Sequence, residues 1–194
     1  MDSRHQEKKV REKAQLNLVR LGVFSIVMLF GGFTSAYIVR HDGGAWFSVN
    51  LPTQFWISSA VILLSSVTMI VAQWSYGSDR KGMGNAFMGS TLLLGLLFTL
   101  FQWLGWKELV ANGIFLSPAD GQGALISGSF IYVLSGLHLL HLFGGIIALF
   151  VTLIKGFMGK YSSANIHGVK LAAIYWHFLD GLWIYLFLFL TIFK

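Results

Sequence analysis

Five long stretches of the chain lack any charged residue apart from a single aspartate, and this feature limits the folds available to it. The shortest stretch has 19 residues, and a helix needs about 20 apolar residues to cross a hydrocarbon core about 30 Å thick. The two longest, with 36 and 34 residues, are too short for two crossings and a turn, so each holds one helix. The stretches are Leu21–Val39, Gly43–Ser78, Gly82–Trp106, Gly121–Ile154 and Leu171–Phe193.

The chain is therefore predicted to be an all-α membrane protein, a bundle of five transmembrane helices. Its composition agrees, because 55% of the residues are hydrophobic and 11% are charged, whereas soluble domains carry about a quarter charged residues. Residues 1–17 are expected to form a basic N-terminal segment, and residues 18–194 one transmembrane domain. The helices are expected near residues 18–40, 53–76, 84–106, 125–154 and 171–193.

Lysine and arginine are distributed unevenly between the two ends of the predicted bundle. Of the 14 in the chain, eleven lie in the N-terminal segment and in the second and fourth connections, and three lie at the other end. Because positive residues stay inside, this arrangement predicts a cytoplasmic N-terminus and an external C-terminus. The absence of a transit-like presequence favours a bacterial plasma membrane over a mitochondrion.

Several function classes are excluded by composition. Cysteine is absent, which rules out disulfides, thiolate metal sites and iron–sulfur clusters. The formal charge of +6 does not indicate nucleic acid, because the basic residues lie in short segments between apolar stretches. The glycines lie inside those stretches and favour close helix packing, with Gly31-Gly32 and Gly144-Gly145 as the expected sites.

Four polar residues are expected near the middle of the membrane. Asp180 lies about 14 Å along the last helix from Leu171. His177 precedes it by three residues on the same face, and His138 and His141 have the same spacing in the fourth helix. An ionised carboxylate at this depth costs at least about 2.5 kcal/mol, so Asp180 has to be neutral, paired or turned towards protein.

Three roles fit these four side chains. The first is a structural polar seam between the last two helices, with a cross-helix hydrogen bond from a histidine to Asp180. The second is a proton relay. The third is ligation of a metal or haem, with His138 or His141 opposite His177. The structural role is favoured, so no catalytic, cofactor-binding or metal-ligating residue is predicted here; a haem-binding anchor or cytochrome is the alternative.

Three segments resemble subunit three of the haem–copper oxidases, the cytochrome c and quinol oxidase complexes. Residues 175–183, Tyr-Trp-His-Phe-Leu-Asp-Gly-Leu-Trp, are similar to the signature of that family's last helix. Residues 135–141 resemble its Thr-Gly-Phe-His-x-x-His segment in the helix before. Residues 79–81, Asp-Arg-Lys, and residues 98–102, ending in Gln, resemble a cytoplasmic turn and the end of the following helix. The order of these matches corresponds to the last five of the seven helices in the family's long form.

The resemblance implies a subunit without redox metals of its own. Haem and copper are then expected in the partner chains, the catalytic subunit one and the copper-bearing subunit two. The family member stabilises the catalytic subunit, helps to maintain proton uptake and binds phospholipids; cytochrome c is the favoured electron donor over quinol. A small subunit four and a respiratory supercomplex are further partners to consider. Residues at matching positions become candidates for lipid or subunit contacts: Trp176, Trp183, Gln102, Arg80 and Lys81.

Three positions depart from the family pattern. Ile26 stands where the family usually has a membrane-embedded carboxylate, so a carboxylate-based proton function is not carried over to this chain. Ser35 stands where a lipid-contacting tryptophan is expected, and Gly105 or a neighbour replaces an acidic residue of the third helix.

Overall fold

Five α-helices account for nearly all of the chain in the computed structural model, which describes residues 2–41, 50–116 and 126–193. All five contain a segment long and apolar enough to cross a membrane, so the predicted architecture is confirmed for the described residues. The helices are α1 (Asp2–His41), α2 (Thr53–Gly77), α3 (Lys81–Ala111), α4 (Ile126–Phe157) and α5 (His167–Ile192).

All five helices extend past at least one predicted bound, α2 by a single residue. Helix α1 begins at Asp2 and includes the basic segment, where Lys8 and Glu12 form an exposed ion pair at 3.9 Å. Helix α3 continues past Trp106 to Ala111. Charged residues end a membrane crossing but not a helix, because Lys, Glu and Gln are good helix formers in water. Residue 125, the predicted start of the fourth helix, and Lys194 lie outside the described residues.

Helix α5 occupies the centre of the bundle, and α1 lies at its edge. Helix α5 packs against α1, α2 and α4, whereas α1 contacts only α4 and α5 among the described helices. Helices α2 and α3 form a tight antiparallel pair joined at Asp79, which has a positive φ of 56°. The N-terminus, the α2–α3 turn and the α4–α5 connection share one end of the bundle, called here the N-terminal end.

Glycines permit close approach at the centre of the bundle but not at α1. A Cβ on Gly145 would lie 2.9 Å from Leu179 and 3.3 Å from Trp176, so the predicted close packing is confirmed there. At Gly31 and Gly32 no close packing is present within this chain, since no described atom lies within 4 Å of a Cβ at either position. Both residues are exposed, and Gly31 borders a cavity of about 250 Å³ that it shares with Leu182 and Tyr185 of α5.

A hydrogen bond joins two connections at the N-terminal end. The Asp79 carboxylate accepts the backbone N–H of Ser163 at 2.7 Å, linking the α2–α3 turn to the α4–α5 connection. Hydrogen bonds from Ser163 hold the pKa of the Asp79 carboxyl below its usual 3.8, and the charge of Lys81 lowers this pKa further. Burial raises the pKa of the neighbouring Tyr161 hydroxyl.

Candidate functional site

Serine side chains of α2 bind the polar side chains that project from α3 and α5. Ser58 and Ser59 are separated by seven residues from Ser65 and Ser66, so the two pairs lie on one face of the helix. Four inter-helix hydrogen bonds result: Gln102 Nε2 to Ser58 Oγ at 2.8 Å, Trp183 Nε1 to Ser59 Oγ at 2.9 Å, Trp176 Nε1 to Ser65 Oγ at 3.1 Å, and Ser66 Oγ with His177 Nδ1 at 2.6 Å.

Ser58, Ser59 and Ser65 accept these bonds because their own protons are already engaged. Ser58 and Ser59 donate to the Phe55 carbonyl oxygen at 2.9 and 2.7 Å, and Ser65 donates to the Ile62 carbonyl oxygen at 2.7 Å. Each hydroxyl oxygen then offers its lone pairs to a donor from another helix. Sequence reasoning missed these partners, although the repeated Ser-Ser pair at a seven-residue spacing was a visible signal.

His138 and His141 are placed in different surroundings. The His138 ring is completely buried, with Phe98 and Trp183 ring centroids at 5.8 and 5.2 Å, and neither nitrogen has a hydrogen-bond partner among the described residues. His141 is half-buried, and its Nδ1 lies 2.7 Å from the carbonyl oxygen of Leu137 in its own helix. The two histidines therefore belong to the predicted seam by position, but their rings do not bond across it to any described residue; the backbone carbonyl oxygen of His141 accepts a hydrogen bond from α5, from the Tyr175 hydroxyl at 3.2 Å.

Asp180 is buried on the side of α5 that faces α2. It is 3% exposed, and neither carboxyl oxygen makes a hydrogen bond of normal geometry with a described residue. The Ser66 hydroxyl lies near enough to interact with it, but that hydroxyl is already bonded to His177. The expected hydrogen bond from a histidine of α4 to Asp180 is not present, because Asp180 and the neighbouring His177 point towards Ser66 of α2.

The residues predicted to touch lipid or another subunit divide into two groups. Trp176, Trp183 and Gln102 are completely buried within this chain, so they hold its helices together and offer no surface to a partner. Arg80 and Lys81 are exposed at the N-terminal end, where the Arg80 guanidinium carbon lies 5.3 Å from the ring centre of Trp74.

A cavity of about 750 Å³ opens at the N-terminal end between α1, α4, the α4–α5 connection and the first turns of α5. Cationic side chains from both walls border it, and its floor is apolar. The cationic residues are Lys8 and Arg11 on α1, and Lys155 and Lys160 on the other wall; Glu12 and His167 also line the cavity, and the floor includes Val19, Val151 and Leu171.

Metal and haem ligation were the alternatives considered for the histidines. No group of three or more His, Asp or Glu side chains among the described residues is placed to hold a metal ion. His138 packs on Phe98 and Trp183, whereas His177 is bonded to Ser66 on the far side of α5. Nothing in this arrangement favours the haem-binding alternative.

Comparison with known proteins decides the family. The sequence matches the family described as "Cytochrome c oxidase subunit III" over residues 5–194. The chain belongs to this family. Mouse (Mus musculus) cytochrome c oxidase subunit 3 is 30% identical over 178 residues, which cover 86% of this chain and 65% of the mouse protein. A protein named "Probable cytochrome c oxidase subunit 3" from Mycobacterium leprae is 30% identical over 181 residues, 88% of this chain and 86% of that protein.

The family assignment can be related to the buried polar contacts, because the family's signature segment makes several of them. This subunit III chain spans 65% of the length of the mouse relative but most of the mycobacterial one. Its signature residues 175–183 lie in the central helix, and both tryptophans of that segment bond to α2. In this member of the family, the signature therefore forms the internal core of the bundle.

Proposed function

We propose that the chain is a non-catalytic membrane subunit that stabilises the catalytic subunit of an oxygen-reducing, proton-pumping terminal oxidase. The observation that carries the proposal is the burial of the family signature, since Trp176 and Trp183 are fully enclosed and bonded to α2. A core packed in this way holds the helices in fixed positions. Their outer faces can then serve as a rigid surface on which the catalytic subunit docks, and the core itself is not a reaction site. Haem and copper belong to the partner subunits one and two, and the favoured electron donor is cytochrome c.

The structural role of Asp180 is tested by replacing it. Asp180→Ala should reduce retention of the subunit in the purified complex, because the substitution leaves a gap between α5 and α2. Electron transfer by the remaining complex should change less. The structural role would be refuted if the complex stayed intact and turnover were abolished.

We further propose that the N-terminal end of the bundle is cytoplasmic, in a bacterial plasma membrane. The described Lys and Arg residues support this orientation, because they concentrate in α1, at Arg80-Lys81 and around the α4–α5 connection. Residues 1–17 then form a cytoplasmic basic segment. Trypsin should remove an N-terminal tag in inside-out vesicles and leave it intact in right-side-out vesicles; the reverse result would contradict this orientation.

The cavity at the N-terminal end supports the proposal that the subunit binds phospholipid. Lys8, Arg11, Lys155 and Lys160 outnumber the one carboxylate that lines the cavity, Glu12, so an anion is attracted there, and the apolar floor accommodates acyl chains. The double substitution Lys155→Gln and Lys160→Gln should reduce the anionic phospholipid that co-purifies with the complex. Lys107→Gln, at the opposite end of the bundle, is the matched control and should leave the lipid content unchanged.

A further inference from the structure

The imidazole of His177 on α5 is accessible from outside the bundle, near the middle of the membrane. His177 is half-buried, ten residues into α5, and its Nδ1 is satisfied by Ser66 on α2 at 2.6 Å. No hydrogen bond from a described residue reaches its Nε2. Imidazoles within membrane-spanning helices normally face a bundle interior or a partner, because lipid tails offer no hydrogen bond.

The outer surface between α2 and α5, called here the α2–α5 groove, contains His177 and continues as a polar strip along α2. Ser66 and Gln73 are seven residues apart, so they lie on the same face of the helix, and both are half-buried. Gln73 also lines a cavity of about 450 Å³ with Ile70 and Ile166, where this groove reaches the N-terminal end of the bundle. The α2–α5 groove therefore presents several polar groups to whatever covers it.

The outer face of α5 beside this groove is shaped for close approach. Ile174, Gly181 and Leu188 are exposed at seven-residue spacing and form one strip along the helix. A Cβ on Gly181 would meet no described atom within 4 Å, so the backbone lies open at that level. Small residues at such positions allow helices in membranes to come close together and to exchange hydrogen bonds.

We propose that the α2–α5 groove, centred on His177 and Gly181, is the surface on which a transmembrane helix of the catalytic subunit docks, with a polar side chain that hydrogen-bonds His177 Nε2. The proposal rests on the proposed function, since the partner is the oxidase's catalytic subunit. A lipid tail cannot satisfy the imidazole, whereas a helix bearing a hydroxyl, amide or carboxyl group can do so.

Photocrosslinking in the intact complex tests which face docks. The photoreactive residue benzoylphenylalanine would replace Ile174 in one variant and Ile147 in another. Both isoleucines are exposed, at 42% and 49%, and they lie at the same depth because α4 and α5 are antiparallel and Gly145 packs beside Trp176. Ile147 lies on the outer face of α4, away from α5.

The expected result is an adduct between position 174 and the catalytic subunit, identified by mass spectrometry, and only lipid adducts from position 147. Lipid adducts alone from position 174, in a complex that still contains the catalytic subunit, would overturn the proposed surface and leave the proposed function intact. An adduct of the catalytic subunit with position 147 instead would also overturn it. Absence of the catalytic subunit from the purified material would overturn both proposals.

Substitution of His177 separates docking from internal packing. His177→Leu should reduce the amount of catalytic subunit retained per chain by about three- to tenfold, the range expected for one interhelical hydrogen bond in a membrane. His177→Gln should recover part of the loss. Ser66→Ala removes only the internal bond to Nδ1 and should change retention less than twofold. Equal losses in His177→Leu and Ser66→Ala would show that His177 acts within the chain and would overturn the docking role.

Discussion

Gly95 on α3 should tolerate no larger side chain, because the ring of Trp176 fills the space beside it. A Cβ at this position would lie 2.6 Å from Trp176 Cη2 and 3.0 Å from Cζ2. Ordinary contact begins at 3.4 Å, so the ring has to retreat by about 0.8 Å, the difference between 3.4 and 2.6 Å. The ring cannot move freely, since Nε1 is bonded to Ser65 at 3.1 Å and the backbone of Gly145 lies against its other edge.

Gly95→Ala is therefore expected to reduce the free energy of unfolding by about 1–3 kcal/mol, the cost of overpacking a core. Gly89 is the matched control on the same helix, because a Cβ there would meet no described atom within 4 Å. Gly89→Ala should be neutral or slightly stabilising, since alanine is the better helix former by up to about 1 kcal/mol.

The assay is unfolding of the purified protein in mixed micelles with rising SDS content, followed by tryptophan fluorescence. Gly95→Ala should unfold at a lower SDS fraction than the unmodified chain, and Gly89→Ala should not. Trp176→Phe in the Gly95→Ala background should cost less than the sum of the two single changes, because the smaller ring leaves room for the methyl group. Strict additivity, or equal stability of the two alanine variants, would refute the described packing around Trp176.

Three further outcomes follow from individual contacts. Ser59→Ala should destabilise the bundle by about 0.6–1.7 kcal/mol in the same SDS assay, because the buried Trp183 N–H loses its acceptor; no change would contradict that bond. Asp180→Asn keeps the shape of the buried side chain and should retain the subunit in the complex better than Asp180→Ala, as measured by co-purification. The Asp79 carboxyl has a folded pKa below 3.8, so its bond to Ser163 contributes fully above the unfolded pKa and is lost as the pH falls through the folded value. Acid should therefore increase proteolytic nicking of the α4–α5 connection, and Asp79→Asn should remove that pH dependence.

The architecture could be predicted from the sequence because lipid imposes simple demands on a chain. Each crossing needs about 20 apolar residues with internally satisfied backbone groups, and charge-free stretches report that directly. The ends of the helices were less accessible. Lys8 and Glu12 belong to a helix that continues into water, where hydropathy carries no information about helix length.

The polar contacts were only partly predictable. Their residues could be named in advance, since Asp180 and the histidines are unusual inside a membrane. Their partners depend on how each helix is rotated about its axis, and apolar stretches do not encode that rotation. Helix α5 turns Trp176 and His177 towards serines of α2, which are common residues that attract no attention in a sequence.

Gly31 also shows that a sequence can indicate a type of contact without indicating the partner. Glycine in a membrane helix favours close packing, but the partner has to be present within the chain for the contact to form. Helix α1 lies at the edge of the bundle, and a cavity separates Gly31 from Leu182 and Tyr185 of α5, whereas Gly145 on α4 lies directly against α5.

The most direct test of the proposed function is mass spectrometry of the proteins that co-purify with the chain, tagged at its N-terminus, from gently solubilised native membranes. The account predicts recovery of a large multi-helix haem–copper subunit together with a copper-binding subunit, whose donor domain would distinguish cytochrome c from quinol. Recovery of the chain alone would contradict the account, and a stoichiometric haem absorption band in that material would establish the alternative cytochrome role for His138 or His141 with His177.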